Sequence, residues 1–156
     1  MSDSKKDSSG AIAPPPVIAL VLIAIGVVLG VFWPVEIVPA PWQYVAGGPI
    51  IAGAVLLVMS AFRLFQRAKT PVLTYRTPTA LVTDGVFRIS RNPIYLSLVL
   101  LMIGLAVTLD NIYLLALAAV CQQIIRCGVI AREEPFLEAK IGEDYRAFRQ
   151  RTRRWI

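Results

Sequence analysis

Residues 94–130, IYLSLVLLMIGLAVTLDNIYLLALAAVCQQIIRCGVI, decide the fold of this chain. They form two apolar runs, about 94–109 and 112–130, parted only by Asp110-Asn111. The apolar residues come as blocks rather than as the stripe of a helix on a water-soluble core. Runs of this length approach the roughly 20 residues that cross a bilayer. Lipid offers the backbone no hydrogen-bond partner, so each run reads as a helix and the pair as a membrane hairpin.

Two further runs precede it, about 17–33 and 44–62, the second interrupted near Gly47-Gly48-Pro49. The chain is 56% hydrophobic over 156 residues, more than a soluble domain of this size needs, which makes it an integral membrane protein. Residues 1–16 read as a flexible segment and 17–156 as a single domain. Lys5-Lys6 before an apolar run imitates a leader peptide, but the run is long for one and reads as a retained anchor.

Charge sets the topology. The connections at 34–43 and 110–111 carry no Lys or Arg, whereas 63–93 holds Arg63, Arg67, Lys69, Arg76, Arg88 and Arg91, and the tail from 131 is heavily basic. Four crossings with both termini in the cytosol satisfy this distribution. The net charge of +6 follows from that placement, so nucleic acid is not an expected partner. The chain has no His, which removes imidazole bases and His-ligated zinc, and no metal is expected. Cys121 and Cys127 point to different sides of one helix and predict no disulfide.

The polar residues at the ends of the hairpin carry the chemistry. Asn92 and Pro93 suit the N-cap and first position of a helix, which explains them without any function. Arg91 and Tyr95 are not so explained. A helix N-terminus with an arginine beside it suits a carboxylate or phosphate. On a helical wheel Gln122, Arg126 and Glu133 share one face, with Gln123 and Glu134 adjacent, and such a stripe should face protein or a wet cavity. Pro135 predicts a kink or break at Glu134. Asp84-Gly85 reads as a turn with positive φ at Gly85. In the tail, Phe136, Leu137, Ile141, Tyr145 and Phe148 recur at helical spacing among arginines, an amphipathic helix suited to an anionic leaflet and divided at Gly142.

Leu81-Val82-Thr83-x-Gly85-x-Phe87-x-x-x-Arg91-Asn92-Pro93-x-Tyr95 ahead of an apolar hairpin resembles the core of the integral-membrane methyltransferases, among them isoprenylcysteine carboxyl methyltransferases and phospholipid N-methyltransferases. Glu133-Glu134-x-x-Leu137, Gly142-x-x-Tyr145-x-x-Phe148 and Arg154-Trp155 resemble their C-terminal signature. The resemblance covers about the last half of the chain. It departs at Asn92, where many members have His, at Ile141, where Phe is usual, and at Phe148, where Tyr is common. It implies S-adenosylmethionine as cofactor, with Gly85, Arg91, Pro93, Tyr95, Glu133, Glu134 and Tyr145 around it or the reacting groups. Arg91, Asn92, Arg126, Glu134 and Arg154 are the residues expected to carry catalysis on a lipidic acceptor, carboxyl or amine, at the cytosolic face of a bacterial inner membrane. The competing readings are a membrane enone-type reductase using NADPH, which shares the Asn/His-Pro-x-Tyr stretch, and a four-span exporter or scaffold.

Overall fold

The computed structural model describes residues 13–36, 38–70 and 81–156. Arg76, used above for topology, Lys5-Lys6 of the leader-like stretch, and most of the expected flexible segment lie outside them. Every regular element among the described residues is helical: α1 Pro15–Phe32, α2 Trp42–Arg67, α3 Pro93–Thr108, α4 Ile112–Ile125, α5 Ala131–Ile141 and α6 Glu143–Arg151, with a 3-10 turn at Gly85–Arg88 and a π turn at Arg126–Ile130. The run Ile112–Ile141, together with α1 and α2, is long and apolar enough to cross a membrane, whereas the apolar α3 is shorter.

α1 starts on Pro15, whose fixed φ suits a first helical turn, and ends before Pro34. Its inward positions are small, Ala19 and Gly26, while Leu20, Val21, Val28 and Val31 point out. α2 repeats the arrangement, with Gly47, Ala54 and Ala61 inward and Val45, Leu56 and Met59 outward. Water would reverse this order. In lipid, helices associate by close packing rather than by hiding large apolar groups, so small residues mark the contacts.

α3 lies in the middle, packed on α2 and α4 and touching α1, and α1 packs on α4. Met102 and Ala106 of α3 meet Leu114, Ala118, Cys121 and Ile125 of α4, with Val129 and Ile130 continuing the core. Asn111 ties α1 to the hairpin: its Oδ1 accepts from the Leu114 N–H at 2.9 Å, capping α4, and its Nδ2 donates to the Gly26 carbonyl at 2.8 Å. The Gly26 and Gly30 face is thus spent inside the chain, Gly30 lying against the Asn111 amide. Cys121 is buried and Cys127 exposed, both as free thiols.

Three expectations are corrected here. α2 runs unbroken through Gly47-Gly48-Pro49. Pro49 forfeits one helical hydrogen bond, and Gly47 beside it lies in close contact with Gly104 and Thr108 of α3. The helix also continues past Glu134 through Pro135, and the irregularity lies upstream, where the Ala131 N–H reaches back to the Arg126 carbonyl. The tail, finally, turns its apolar face to protein rather than to a leaflet: Tyr145 and Phe148 of α6 pack with Ala61 of α2 and with Phe87, flanked by Leu137 and Ile141. α5 and α6 are divided at Gly142, φ +72°, as expected. Glu138 braces them across that break, accepting from Arg146 Nε at 2.9 Å and Arg149 Nη1 at 3.1 Å, and the Arg146 bond holds its carboxyl below the usual range.

Phe87 belongs to the turn opened by Gly85, and its ring sits edge-on to Phe65 of α2, centroids 5.2 Å apart. Gly85 has the expected positive φ of +58°, and a Cβ there would lie 2.9 Å from Leu64 Cδ1. Gly85→Ala is therefore expected to cost about 1–2 kcal/mol for the left-handed backbone, read as a lower unfolding temperature in detergent; an unchanged temperature would show that the turn relaxes freely.

Candidate active site

The site is built where α3 begins, at the end of the molecule opposite the Asp110-Asn111 turn. Pro93 is the first residue of α3 and Asn92 its N-cap. The cap is not made by the side chain, contrary to expectation: Asn92 Nδ2 donates instead to the Arg154 carbonyl at 3.1 Å. Tertiary bonding has overridden the local preference. Ser90 Oγ donates to the same carbonyl at 3.3 Å and accepts from the Asn92 N–H at 3.1 Å, while the Arg91 N–H donates to the Arg153 carbonyl at 3.0 Å. The C-terminal segment beyond α6 is thereby strapped across the start of α3.

The strap carries a guanidinium to a buried carboxylate. Arg154 Nε donates to Glu134 Oε1 at 3.1 Å, and its Nη2 donates to Oε2, a bidentate grip. Arg91 Nη1 lies 3.2 Å from the same Oε1 on the other side. The side chains of Glu134 and Arg91 are 9% and 10% exposed, and that of Arg154 is 32% exposed. Two guanidiniums share this one carboxylate. The Glu134 bond holds the Arg154 guanidinium charged, raising its already high pKa.

Next to this triad, Tyr95 O–H donates to Glu133 Oε1 at 2.8 Å. Tyr145 projects from α6 beside Arg91 and is buried; burial pushes its phenol up, the Glu134 charge adds to that, and Arg91 opposes it. A raised native pKa means that Tyr145 supports folding below the free phenol value of 10.0 and loses that support as the pH climbs past it. Alkaline unfolding should therefore shift to higher pH in Tyr145→Phe, and coincident alkaline limbs in the two proteins would refute this.

Arg91, Asn92, Pro93, Tyr95, Glu133, Glu134, Tyr145 and Arg154 are thus brought to one place. Arg126 is exposed on the π turn. The wheel put it beside Glu133 by assuming a uniform helix, but a π turn inserts one residue, roughly 100° of phase. Gln123 is exposed as well and Gln122 half-buried. Gly85 serves its turn and packs on Leu64 rather than on the cluster. Ser90, buried completely, and Thr152 and Trp155 of the strap region were not singled out as site residues; only the Arg154-Trp155 pair hinted at the strap.

Three buried donors in this region have no hydrogen-bond acceptor among the described residues: Arg91 Nε, Arg91 Nη1 and Trp155 Nε1. Although Arg91 Nη1 is within ionic distance of Glu134, its N–H bonds are not aimed at the carboxylate. Buried donors are normally satisfied. An arginine left with unused donors beside a helix N-terminus is equipped for an anionic group.

Residues 42–144 match the phospholipid methyltransferase family. The chain belongs to this family. The match runs from the first residue of α2 into α6, taking in the Arg91 segment and the Glu133-Glu134 pair, and it stops short of Arg154. An uncharacterized protein of Haemophilus influenzae is 37% identical over 62 residues, spanning 40% of this chain and 98% of that relative. No solved structure matches the chain.

Proposed function

We propose that this phospholipid methyltransferase family member transfers a methyl group from S-adenosylmethionine to a lipidic acceptor, amine or carboxyl, at the cytosolic membrane face. The observation that carries the reading is the buried Arg91–Glu134–Arg154 cluster at the start of α3, with its unused Arg91 donors. An isoprenylcysteine carboxyl methyltransferase-like activity corresponds to the carboxyl acceptor.

The residues present fit the cofactor. Arg91 and the α3 N-terminus suit its carboxylate. Glu133, Glu134 and Tyr145 offer partners for its ammonium and hydroxyl groups, and the Tyr95 ring suits a neighbouring cation. When bound, the cofactor supplies an electrophilic methyl group on a sulfonium. The chain's part is to align donor and acceptor and to exclude water. With a carboxylate acceptor, Arg154 orients the nucleophile and no base is required. With an amine, Glu133, already bonded to the Tyr95 phenol, takes the proton.

The charge distribution supports four crossings, with α3 as the third, and with both termini and the site in the cytosol of a bacterial inner membrane. Arg63, Arg67, Lys69, Arg88, Arg149, Arg151 and Arg153 are exposed at the site end, and the opposite connections carry no Lys or Arg. Such a rim suits anionic lipids. Purified protein in nanodiscs, given cofactor labelled in its methyl group and total lipid extract, should place label in the organic phase. Cofactor binding without label in any lipid would remove the lipidic acceptor, and oxidation of NADPH by an enone would favour the reductase reading instead.

A further inference from the structure

Residues 90–92 send three hydrogen bonds into the C-terminal strap: Arg91 N–H to the Arg153 carbonyl, and Ser90 Oγ and Asn92 Nδ2 both to the Arg154 carbonyl. The doubly bonded carbonyl belongs to the residue whose guanidinium grips Glu134. Fixing that peptide fixes where the guanidinium sits. Ser90 is completely buried, and its hydroxyl is engaged twice, donating to the strap and accepting from the Asn92 N–H. Asn92 occupies the N-cap of α3 yet leaves the cap unmade and reaches for the strap. Beyond Arg154, Trp155 packs against the core formed by α3 and α4. Both ends of Arg154 are therefore anchored, by a polar clip before its side chain and an apolar contact after it.

We propose that Ser90 and Asn92 are positioning residues that hold the strap by the Arg154 carbonyl and so aim the Arg154 guanidinium at Glu134. With the strap seated, Glu134 is shared between Arg91 and Arg154. With the strap released, Arg91 faces Glu134 alone, and the site loses one of the two positive charges that suit an anionic ligand group. Seating the strap thus sets the affinity of the site for the methyl donor's carboxylate, while neither Ser90 nor Asn92 touches the reacting atoms. This inference rests on the methyltransferase reading above.

Full-length wild type, Ser90→Ala, Asn92→Leu and Asn92→His are compared in nanodiscs. Hydrogen-exchange mass spectrometry follows the amides of 152–155 and of Arg91, calorimetry measures S-adenosylmethionine binding, and labelled methyl transfer gives KM and kcat. Ser90→Ala and Asn92→Leu should speed exchange in the strap and raise Kd and KM for the donor about tenfold, with kcat within about twofold. Asn92→His, whose ring N–H can donate to the same carbonyl, should restore slow exchange and donor affinity. Melting temperatures close to wild type show that the variants fold. Slow exchange in both Ser90→Ala and Asn92→Leu overturns the clip, as does fast exchange with unchanged donor affinity. A fall in kcat at constant KM overturns it too, since it would place Asn92 at the reacting groups. A wild type that binds donor but methylates nothing sinks the acceptor reading alone, and the binding constants then decide the strap; a wild type that binds no donor sinks both.

Discussion

Glu134→Gln is expected to destabilise the folded protein by about 3 kcal/mol, the lower end of what removing one partner of a buried ion pair costs. Its carboxylate answers two guanidiniums at once, one 10% exposed and the other 32% exposed. The amide has the same shape but no charge, so Arg91 remains as a buried cation at a helix N-terminus, whose own partial positive charge adds to the penalty. Arg154 regains part of its hydration, which holds the figure down. Thermal unfolding in detergent, followed by tryptophan fluorescence, reads the loss. Arg91→Met combined with Glu134→Gln empties the site of both buried charges and should recover most of the stability, a non-additivity that reports direct coupling. Methyl transfer should stay on the order of 100-fold below wild type in both proteins, because the alignment of donor and acceptor is gone. A single variant that melts with wild type would show that the triad does not hold the site together.

The parts of this site legible in the sequence are those fixed by local chemistry. Gly85 takes its positive φ because its turn demands it, Gly142 divides the tail into two helices, and Pro93 begins α3 because its ring suits a first turn. The meeting of Arg91 with Glu134 was readable as well, since both lie where charge meets the same end of a membrane hairpin. What was not legible depends on partners distant in the chain. Asn92 looks like a cap until the strap supplies a carbonyl some sixty residues away. The π turn at Arg126–Ile130 shifts the register of everything after it, and a wheel drawn at constant pitch cannot contain it. α6 looks like a helix for a membrane surface because its apolar face is real, but Ala61 and Phe87 cover that face.

The second large effect concerns the contact between α2 and α3 that holds α3, and with it the site, in place. A Cβ on Gly47 would press on Thr108 Oγ1 and stand 2.8 Å from the Thr108 backbone nitrogen and 2.9 Å from the Gly104 carbonyl oxygen. Backbone atoms cannot rotate aside, and the Thr108 hydroxyl is already bonded to the Gly104 carbonyl at 2.8 Å. Gly47→Leu must therefore drive the two helices apart, costing about 3 kcal/mol or more as overpacking at a rigid contact. Gly48, the next residue, has nothing among the described residues within 4 Å of its Cβ position and faces outward. The same change there should be neutral or stabilising, since leucine is better than glycine in a helix by about 1 kcal/mol and its side chain suits lipid. Unfolding both variants by titration with SDS in mixed micelles compares two identical substitutions one position apart. Because α3 starts at the site, Gly47→Leu should also lower the methyl-transfer activity recovered per milligram of protein, whereas Gly48→Leu should not. Equal unfolding midpoints for the two would mean that α2 and α3 do not meet along the Gly47, Ala54 and Ala61 face, and the placement of α3 against that face would have to be abandoned.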